Sequence, residues 1–113
     1  MHDEHKQGAI LAAVVEGQRV AIFAATLPAA QELHRQLADL VDKSAVECVV
    51  RRTSGAHSLA FVGGGSIVFL SYRSGVYRGM SLDRIFVPIG TGAELVRDLS
   101  PCLAVSGGPF VGY

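Results

Sequence analysis

Residues 19–42 read RVAIFAATLPAAQELHRQLADLVD and carry the clearest structural signal in the chain. The run 19–25 is continuously apolar after its first residue, which is typical of a strand buried on both faces of a sheet. Thr26 and Pro28 are residue types that favour the start of a helix. Residues 29–42 then place leucine and valine at i, i+4, i+7 and i+8, which predicts an amphipathic helix. A buried strand that leads into such a helix indicates an α/β fold.

The remaining segments extend this alternation of helix and strand. Their predicted elements are a helix at 8–16, strands at 46–52, 58–62, 66–72 and 84–89, a short helix at 92–99, and strand and turn signals at 101–113. The three glycines at 63–65 separate two β-rich runs, which predicts a hairpin turn. The order predicts one α/β domain over residues 8–113, with a partly parallel, twisted sheet flanked by helices. Residues 1–7 are expected to form a flexible tail.

The composition excludes several classes of protein. Of the 113 residues, 50% are hydrophobic and 18% are charged, so a disordered chain is excluded. The ten basic and ten acidic residues give no net charge that would draw the chain to nucleic acid or to a membrane. The uncharged stretch 53–72 is interrupted by glycines and serines, so no membrane span is predicted there. The polar N-terminus does not resemble a signal peptide, and we expect a cytoplasmic protein.

Two stretches of the sequence resemble a known family when they are taken together. They are EGQRVAIFAATLPAAQELHRQL at 16–37 and FVGGGSIVFLSYRSGVYRGMSLDRIFV at 61–87. In this order they resemble the ATPase domain of phage large terminase subunits and of related superfamily 2 helicases. The motif-matching residues are Gly65, Ser66, Arg78, Gly79, Ser81 and Asp83. The resemblance covers roughly residues 8–113 and implies a reduced RecA-like P-loop NTPase core, phage-encoded and located in the host cytoplasm.

The sequence departs from the pattern of this family at the positions of its catalytic residues. The family's phosphate loop ends in Gly-Lys-Thr or Gly-Lys-Ser, and its amides, lysine and hydroxyl hold the nucleotide and Mg²⁺. This chain is expected to begin just after that loop, because residues 6–8 (Lys-Gln-Gly) have neither the glycine-rich run nor the hydroxyl. The family's acidic strand end corresponds to Pro88 and Ile89, which hold no cation and accept no proton. We therefore expect no catalytic residue, no metal site and no cofactor.

The function that the resemblance implies is binding without turnover. The chain would be a degenerate terminase- or helicase-like module that acts through nucleic-acid or protein binding in DNA metabolism or packaging. In one alternative, it is one part of a split ATPase, completed by a partner chain that carries the phosphate loop. In another, it inhibits a host or phage motor protein. An open sheet edge would let a protein partner or a second copy of the chain pair with it.

An arginine-rich segment is the main candidate for binding. Residues 51–84 carry five arginines and one acidic residue, a net charge of +4. Arginine pairs with phosphates and tyrosine stacks on bases, and DNA binding without sequence preference uses both. The candidate nucleic-acid or partner contacts are Arg51, Arg52, Arg73, Tyr77, Arg78 and Arg84. The alternative is that Arg78 pairs with Asp83 or another local acid and only fixes the loop.

Other reactive side chains form no recognisable site in the sequence. His2 and His5 flank two acidic residues, as in some metal sites, but such residues at a chain terminus are usually solvated. His34 is predicted on the polar flank of its helix. Cys48 and Cys102 lie in apolar runs, where a free cysteine acts as a small hydrophobic residue.

Overall fold

The computed structural model describes residues 1–73 and 75–113. The elements within these ranges are the helices α1 (Asp3–Val14), α2 (Leu27–Lys43) and α3 (Ala93–Leu99), the 3-10 helix η1 (Ser100–Leu103), and the strands β1 (Arg19–Ala24), β2 (Cys48–Arg51), β3 (His57–Phe61), β4 (Ser66–Ser71), β5 (Arg84–Val87) and β6 (Phe110–Gly112). The predicted strands β1 to β5 and the three predicted α-helices are therefore confirmed, although α1 begins five residues earlier than predicted. The apolar residues after Pro101, predicted as strand and turn, instead begin within the 3-10 helix η1, and only β6 forms a strand there.

One six-stranded mixed sheet organises the molecule, in the order β2-β3-β4-β1-β5-β6. Strands β4, β1, β5 and β6 run parallel to one another, and β3 runs antiparallel to both β2 and β4. At the centre, Val20 lies opposite Ile67 on one side and Arg84 on the other. The predicted parallel core and the hairpin are both confirmed, and β2 and β6 form the two edges.

The two faces of the sheet are covered by different layers. Helices α1 and α2 pack on one face, where Leu37 and Phe69 are fully buried. The other face is covered by α3, η1 and residues of the connection between β4 and β5, among them Tyr77 and Leu82, which pack around Phe23 and Leu70. Strand β1 is buried between these layers from its second residue onward, as its apolar sequence predicts.

The N-terminal residues are helical, which corrects the expectation of a flexible tail at 1–7. Helix α1 begins at Asp3, and Met1 packs against the core. The ring of His5 lies edge-on to that of Phe86, with the centroids 6.4 Å apart. The buried face of α1 consists of alanines, so the helix approaches the sheet closely without the leucine spacing that marks α2.

His34 is buried, which corrects its predicted place on the polar flank of α2. Its ring lies edge-on to Phe69 and to His57, at centroid distances of 5.2 and 5.0 Å. Its Nε2 atom lies 3.1 Å from the carbonyl oxygen of Ser58. Burial lowers the pKa of His34 below its usual range. The physical reason is that β3 extends the sheet beneath α2, so the buried stripe of the helix is wider than the leucine pattern indicates.

Candidate functional site

The connection between β4 and β5, the crossover, crosses one face of the sheet, and the structure describes its residues 72–73 and 75–83. It carries Arg73 and Arg78, two of the candidate arginines. It joins the end of β4 to the start of β5, and both strands run parallel to β1 between them. The chain must therefore travel the length of the sheet, over the face that α1 and α2 leave uncovered. Arg73 lies at the start of this crossover and Arg78 lies in its middle, and both are exposed.

An open cavity of 570 Å³ lies between the crossover and the α3–η1 layer. Its lining residues are Tyr77, Arg78, Gly79, Met80, Ser81, Asp98, Pro101, Cys102 and Val105. Three of the residues that match the terminase-like motif, Arg78, Gly79 and Ser81, thus lie on its wall. The turn that presents them uses Gly79 at φ +83°, a conformation that glycine adopts without steric cost.

Tyr77 supports this turn from the core. It is only 4% exposed, and its ring lies edge-on to Phe23, with the centroids 5.7 Å apart. Its carbonyl oxygen accepts hydrogen bonds from the Cys102 thiol at 3.3 Å and from the Met80 amide at 3.0 Å. The guanidinium carbon of Arg78 lies 6.0 Å from the centre of the Tyr77 ring, at the outer limit of a cation–π contact. The geometry therefore disagrees with the expectation that Tyr77 stacks on bases.

Arg78 makes no ion pair within the ranges 1–73 and 75–113. Asp83, its expected alternative partner, binds Arg19 instead. The Oδ2 atom of Asp83 accepts a hydrogen bond from the Arg19 amide at 2.7 Å and lies 3.8 Å from Arg19 Nε. The Asp83 amide donates in return to the Arg19 carbonyl oxygen at 2.8 Å. Asp83 thus fastens the start of β1 to the start of β5, and the charge of Arg78 stays available to a ligand.

The other candidate arginines lie elsewhere on the molecule. Arg84 begins β5, at the opposite end of the parallel strands from Arg73. Its Nε donates to Gln18 Oε1 at 3.3 Å, and its Nη2 lies 3.8 Å from Glu16 Oε2. Arg51 ends the edge strand β2, at the far side of the sheet from β5. The sequence cluster is therefore divided by the fold, and Arg73 and Arg78 are the two of its arginines that belong to the crossover.

Arg52 belongs to a second cavity, which sequence reasoning did not find. This cavity has a volume of 410 Å³ and lies beside α2, where Arg52 approaches His34, His57 and Arg35. Arg35 is occupied by two neighbouring carboxylates on α2, and its guanidinium lowers the pKa of Glu32 to about 2. The two histidines are far apart in sequence, and only the passage of β3 beneath α2 brings them together.

The carboxyl ends of the parallel strands are filled by neutral groups. Ligands of α/β proteins usually bind at this edge. Here β5 is followed by Pro88 and Ile89, and the Thr91 hydroxyl donates to the Pro88 carbonyl oxygen at 2.6 Å. The Tyr72 hydroxyl lies 2.8 Å from that of Thr91. The Tyr113 hydroxyl donates to a β1 carbonyl, and burial raises the pKa of Tyr113 to about 12. Among the described residues, no carboxylate takes part in this network.

Two further findings concern the described residues as a set. Within residues 1–73 and 75–113, no group of three or more histidine, cysteine, aspartate or glutamate side chains is placed to hold a metal ion. In the same ranges, none of the helices is both long and apolar enough to cross a membrane.

The fold is similar to part of a solved phage protein, the large terminase from a thermophilic bacteriophage. The similarity to one crystal form has a TM-score of 0.63 at 13% identity, covering 84% of this chain and 25% of that one. A complex of the same terminase with ADP gives 0.58 at 14% identity, covering 84% and 25%. A third structure gives 0.61 at 15% identity, covering 84% and 24%. No family model and no curated protein matches the chain.

These comparisons define a terminase-like α/β fold. The chain spans about a quarter of the length of the terminase chains that it matches. At 13–15% identity the similarity concerns the arrangement of helices and strands. The predicted α/β fold and its likeness to a terminase domain are therefore confirmed. A shared arrangement of helices and strands does not establish the activity or the partners of this chain.

Proposed function

We propose that this chain is a non-catalytic, terminase-like module that binds the phosphate backbone of DNA through Arg78 and Arg73. The observation that carries the proposal is the exposed guanidinium of Arg78, which has no ion-pair partner in the described ranges and lies on the wall of a 570 Å³ cavity. An arginine fork matches phosphate oxygens in geometry and charge. Buried Tyr77 anchors the turn that presents it.

The likeness of the fold to a phage terminase supports a role for this chain beside DNA. The solved proteins that it resembles are copies of a phage large terminase, one of them in complex with ADP. A phage origin and a role in DNA metabolism or packaging follow from that likeness as parts of the proposal. The expected absence of turnover rests on Pro88 and Ile89 after β5, where the resemblance implies that a terminase carries its two acids.

DNA binding is tested by fluorescence anisotropy with labelled single- and double-stranded DNA at two salt concentrations. We expect binding that weakens as salt rises, because the protein releases counterions from the phosphates. Arg78→Gln should weaken binding to all sequences and reduce the salt dependence. The matched control is Lys43→Gln, which removes one positive charge from the end of α2 on the opposite face of the sheet. Equal affinities of the two variants, or no binding at low salt, would overturn the proposal.

The absence of turnover is tested by phosphate release from ATP, with and without DNA. The purified chain should release no phosphate above the buffer blank. Turnover that scales with protein concentration and persists through a second purification step would contradict a non-catalytic module. Turnover that appears only after a chain carrying a phosphate loop is added would support the split-ATPase alternative instead.

A further inference from the structure

Strand β2 presents an unpaired backbone edge whose outward-facing residues can be identified. On the neighbouring strand β3, the Phe61 amide donates to the Gly65 carbonyl oxygen at 2.9 Å, and the Phe61 carbonyl accepts from Gly64. The backbone groups of Phe61 therefore point toward β4. Since the direction of these groups alternates along an antiparallel strand, the amide and carbonyl groups of the preceding residue, Ala60, point toward β2. Ala60 lies opposite Val49, so Val49 is the β2 residue that bonds to β3.

The same alternation assigns the rest of β2. Arg51 also bonds to β3, opposite Ser58, whereas the amide and carbonyl groups of Cys48 and Val50 point away from the sheet. Within the described ranges, β2 has no neighbouring strand on its outer side. The backbone amide and carbonyl groups of Cys48 and Val50 point toward that side. Such an edge is a template for pairing with another strand.

Opposite charges flank this edge on one face of the sheet. Cys48 packs toward the α-helical side of the sheet, and side chains alternate along a strand, so its neighbour Val49 lies on the face that α1 and α2 do not cover. The side chain of Val49 is 54% exposed there. Arg51 lies on the same face as Val49, two positions further on. Glu47 is exposed two positions before Val49. In the part of the chain that the structure describes, neither Glu47 nor Arg51 makes an ion pair.

We propose that β2 pairs antiparallel with β2 of a second copy of this chain, with Val49 opposite its own counterpart. The two-fold axis is then perpendicular to the sheet, and both copies keep the same face on the same side. Cys48 lies opposite Val50 of the second copy, and these outward-facing residues exchange two backbone hydrogen bonds. Glu47 lies opposite Arg51 of the second copy. Each contact occurs twice, so the two valines are flanked by two ion pairs.

The charges select this register over its neighbours. If the strand slips so that Cys48 meets its own counterpart, Glu47 lies opposite Val49 and Arg51 lies opposite Ala45. If Val50 meets its own counterpart, Arg51 lies opposite Val49 and Glu47 lies opposite Thr53. Both registers leave the charges beside neutral residues. The sequence around β2 is therefore complementary to itself in one antiparallel register. This self-complementarity favours a second copy of the chain as the partner that pairs with β2.

The first test is sedimentation velocity over a range of protein concentrations, without DNA. Wild type should show a monomer–dimer equilibrium. Glu47→Arg and Arg51→Glu should each weaken dimerisation by about ten-fold or more, because each places like charges opposite each other twice. The matched control is Arg52→Glu, which makes the same charge change at the next residue, outside the Glu47–Arg51 pairs. A chain that stays monomeric, or equal effects of Arg51→Glu and Arg52→Glu, would overturn the proposal.

Mixing the variants makes the test specific for the register. A Glu47→Arg chain and an Arg51→Glu chain have complementary edges, so an equimolar mixture should form a heterodimer more tightly than either variant forms a dimer with itself. The double variant Glu47→Arg/Arg51→Glu should form a dimer with itself again. Both sites are exposed, and circular dichroism of each variant serves as the check that it is folded. Failure of both rescues would exclude this register.

A disulfide trap gives an independent readout. Directly opposed residues in a non-hydrogen-bonded antiparallel pair have Cα atoms about 4.5 Å apart, within the range that a disulfide spans. In a Cys48→Ser background, Val49→Cys should form a covalent dimer under mild oxidation. Val62→Cys is the control, because Val62 is 78% exposed and lies beyond the end of β3. Equal cross-linking at both positions would show random collision and contradict the proposed pairing.

Discussion

Replacing Gly65 with alanine should damage this fold far more than the same change at the adjacent Gly64. An ideal Cβ atom on Gly65 would lie 1.8 Å from the carbonyl oxygen of Ala13 and 2.7 Å from its carbonyl carbon. Both obstacles are backbone atoms of α1, so no side-chain rotation relieves them. A Cβ on Gly64 meets nothing within 4 Å, although its φ of +93° is unfavourable for an L-residue.

The expected cost follows from the displacement that the new methyl group requires. To restore ordinary contact, α1 must move away from the β3–β4 turn by about 1.5 Å, which removes much of the dispersion energy of its alanine face. We expect a loss of about 3 kcal/mol, at the upper end of overpacking effects. That corresponds to a fall in Tm of roughly 10 °C for a domain of this size. Gly64→Ala should cost about 1–2 kcal/mol from backbone strain alone.

The assay is urea unfolding followed by circular dichroism, with the two variants compared at equal protein concentration. Gly8→Ala serves as the matched control. Gly8 lies inside α1 and an added Cβ meets nothing within 4 Å, so this change should stabilise the protein by about 0.5–1 kcal/mol. If Gly65→Ala is as stable as Gly64→Ala, then α1 does not pack against the turn as described, and the reasoning is refuted.

Three further predictions concern His34, Asp83 and the two cysteines. Burial lowers the folded-state pKa of His34, so the contribution of this residue to stability is complete above pH 6.5 and is lost as the pH falls toward that lowered pKa. Urea unfolding measured across pH should show this loss in wild type and not in His34→Phe. Identical pH profiles of the two proteins would contradict the prediction. Asp83→Asn should destabilise the fold by about 1 kcal/mol, because a neutral amide oxygen accepts a weaker hydrogen bond from the Arg19 amide than a carboxylate does. Asp98→Asn, at an exposed site, should change the free energy of unfolding by less than about 0.5 kcal/mol. Equal values for the two variants would show that the link between β1 and β5 adds nothing to stability. Cys102 is buried whereas Cys48 is half-buried, and burial raises the pKa of both thiols. Alkylation mapped by mass spectrometry should therefore reach Cys48 in the native state and Cys102 only on unfolding. Early labelling of Cys102 would argue against its packing.

The sequence predicted those elements whose burial pattern is local. The apolar run of β1 and the leucine spacing of α2 each report a buried surface within a few residues, so both were found close to their true boundaries. The glycines at 63–65 likewise marked a hairpin turn, which the antiparallel pairing of β3 with β4 confirms.

Features that depend on contacts between distant segments were not visible in the sequence. Helix α1 packs through alanines, so no periodic pattern extended it back to Asp3. The burial of His34 depends on β3 lying beneath α2. Arg78 and Arg84 are close in sequence, yet the crossover and the start of β5 place them in different surroundings. Each of these outcomes is set by the path of the chain between elements, which residue spacing does not encode.

Four of the six residues that match the terminase-like motif can be divided by role: three build the fold and one does not. Gly65 is required by the approach of α1, Gly79 by a turn at φ +83°, and Asp83 by its hydrogen bond to the start of β1. A shared fold is sufficient to explain these matches, so they carry no evidence for a shared activity. Arg78 is different, because its exposed guanidinium forms no ion pair or hydrogen bond among the described residues. Arg78→Gln should therefore leave the free energy of unfolding within about 0.5 kcal/mol of wild type. If that variant instead destabilises the fold as Asp83→Asn does, then Arg78 is a structural residue as well, and the motif gives no support to a binding function.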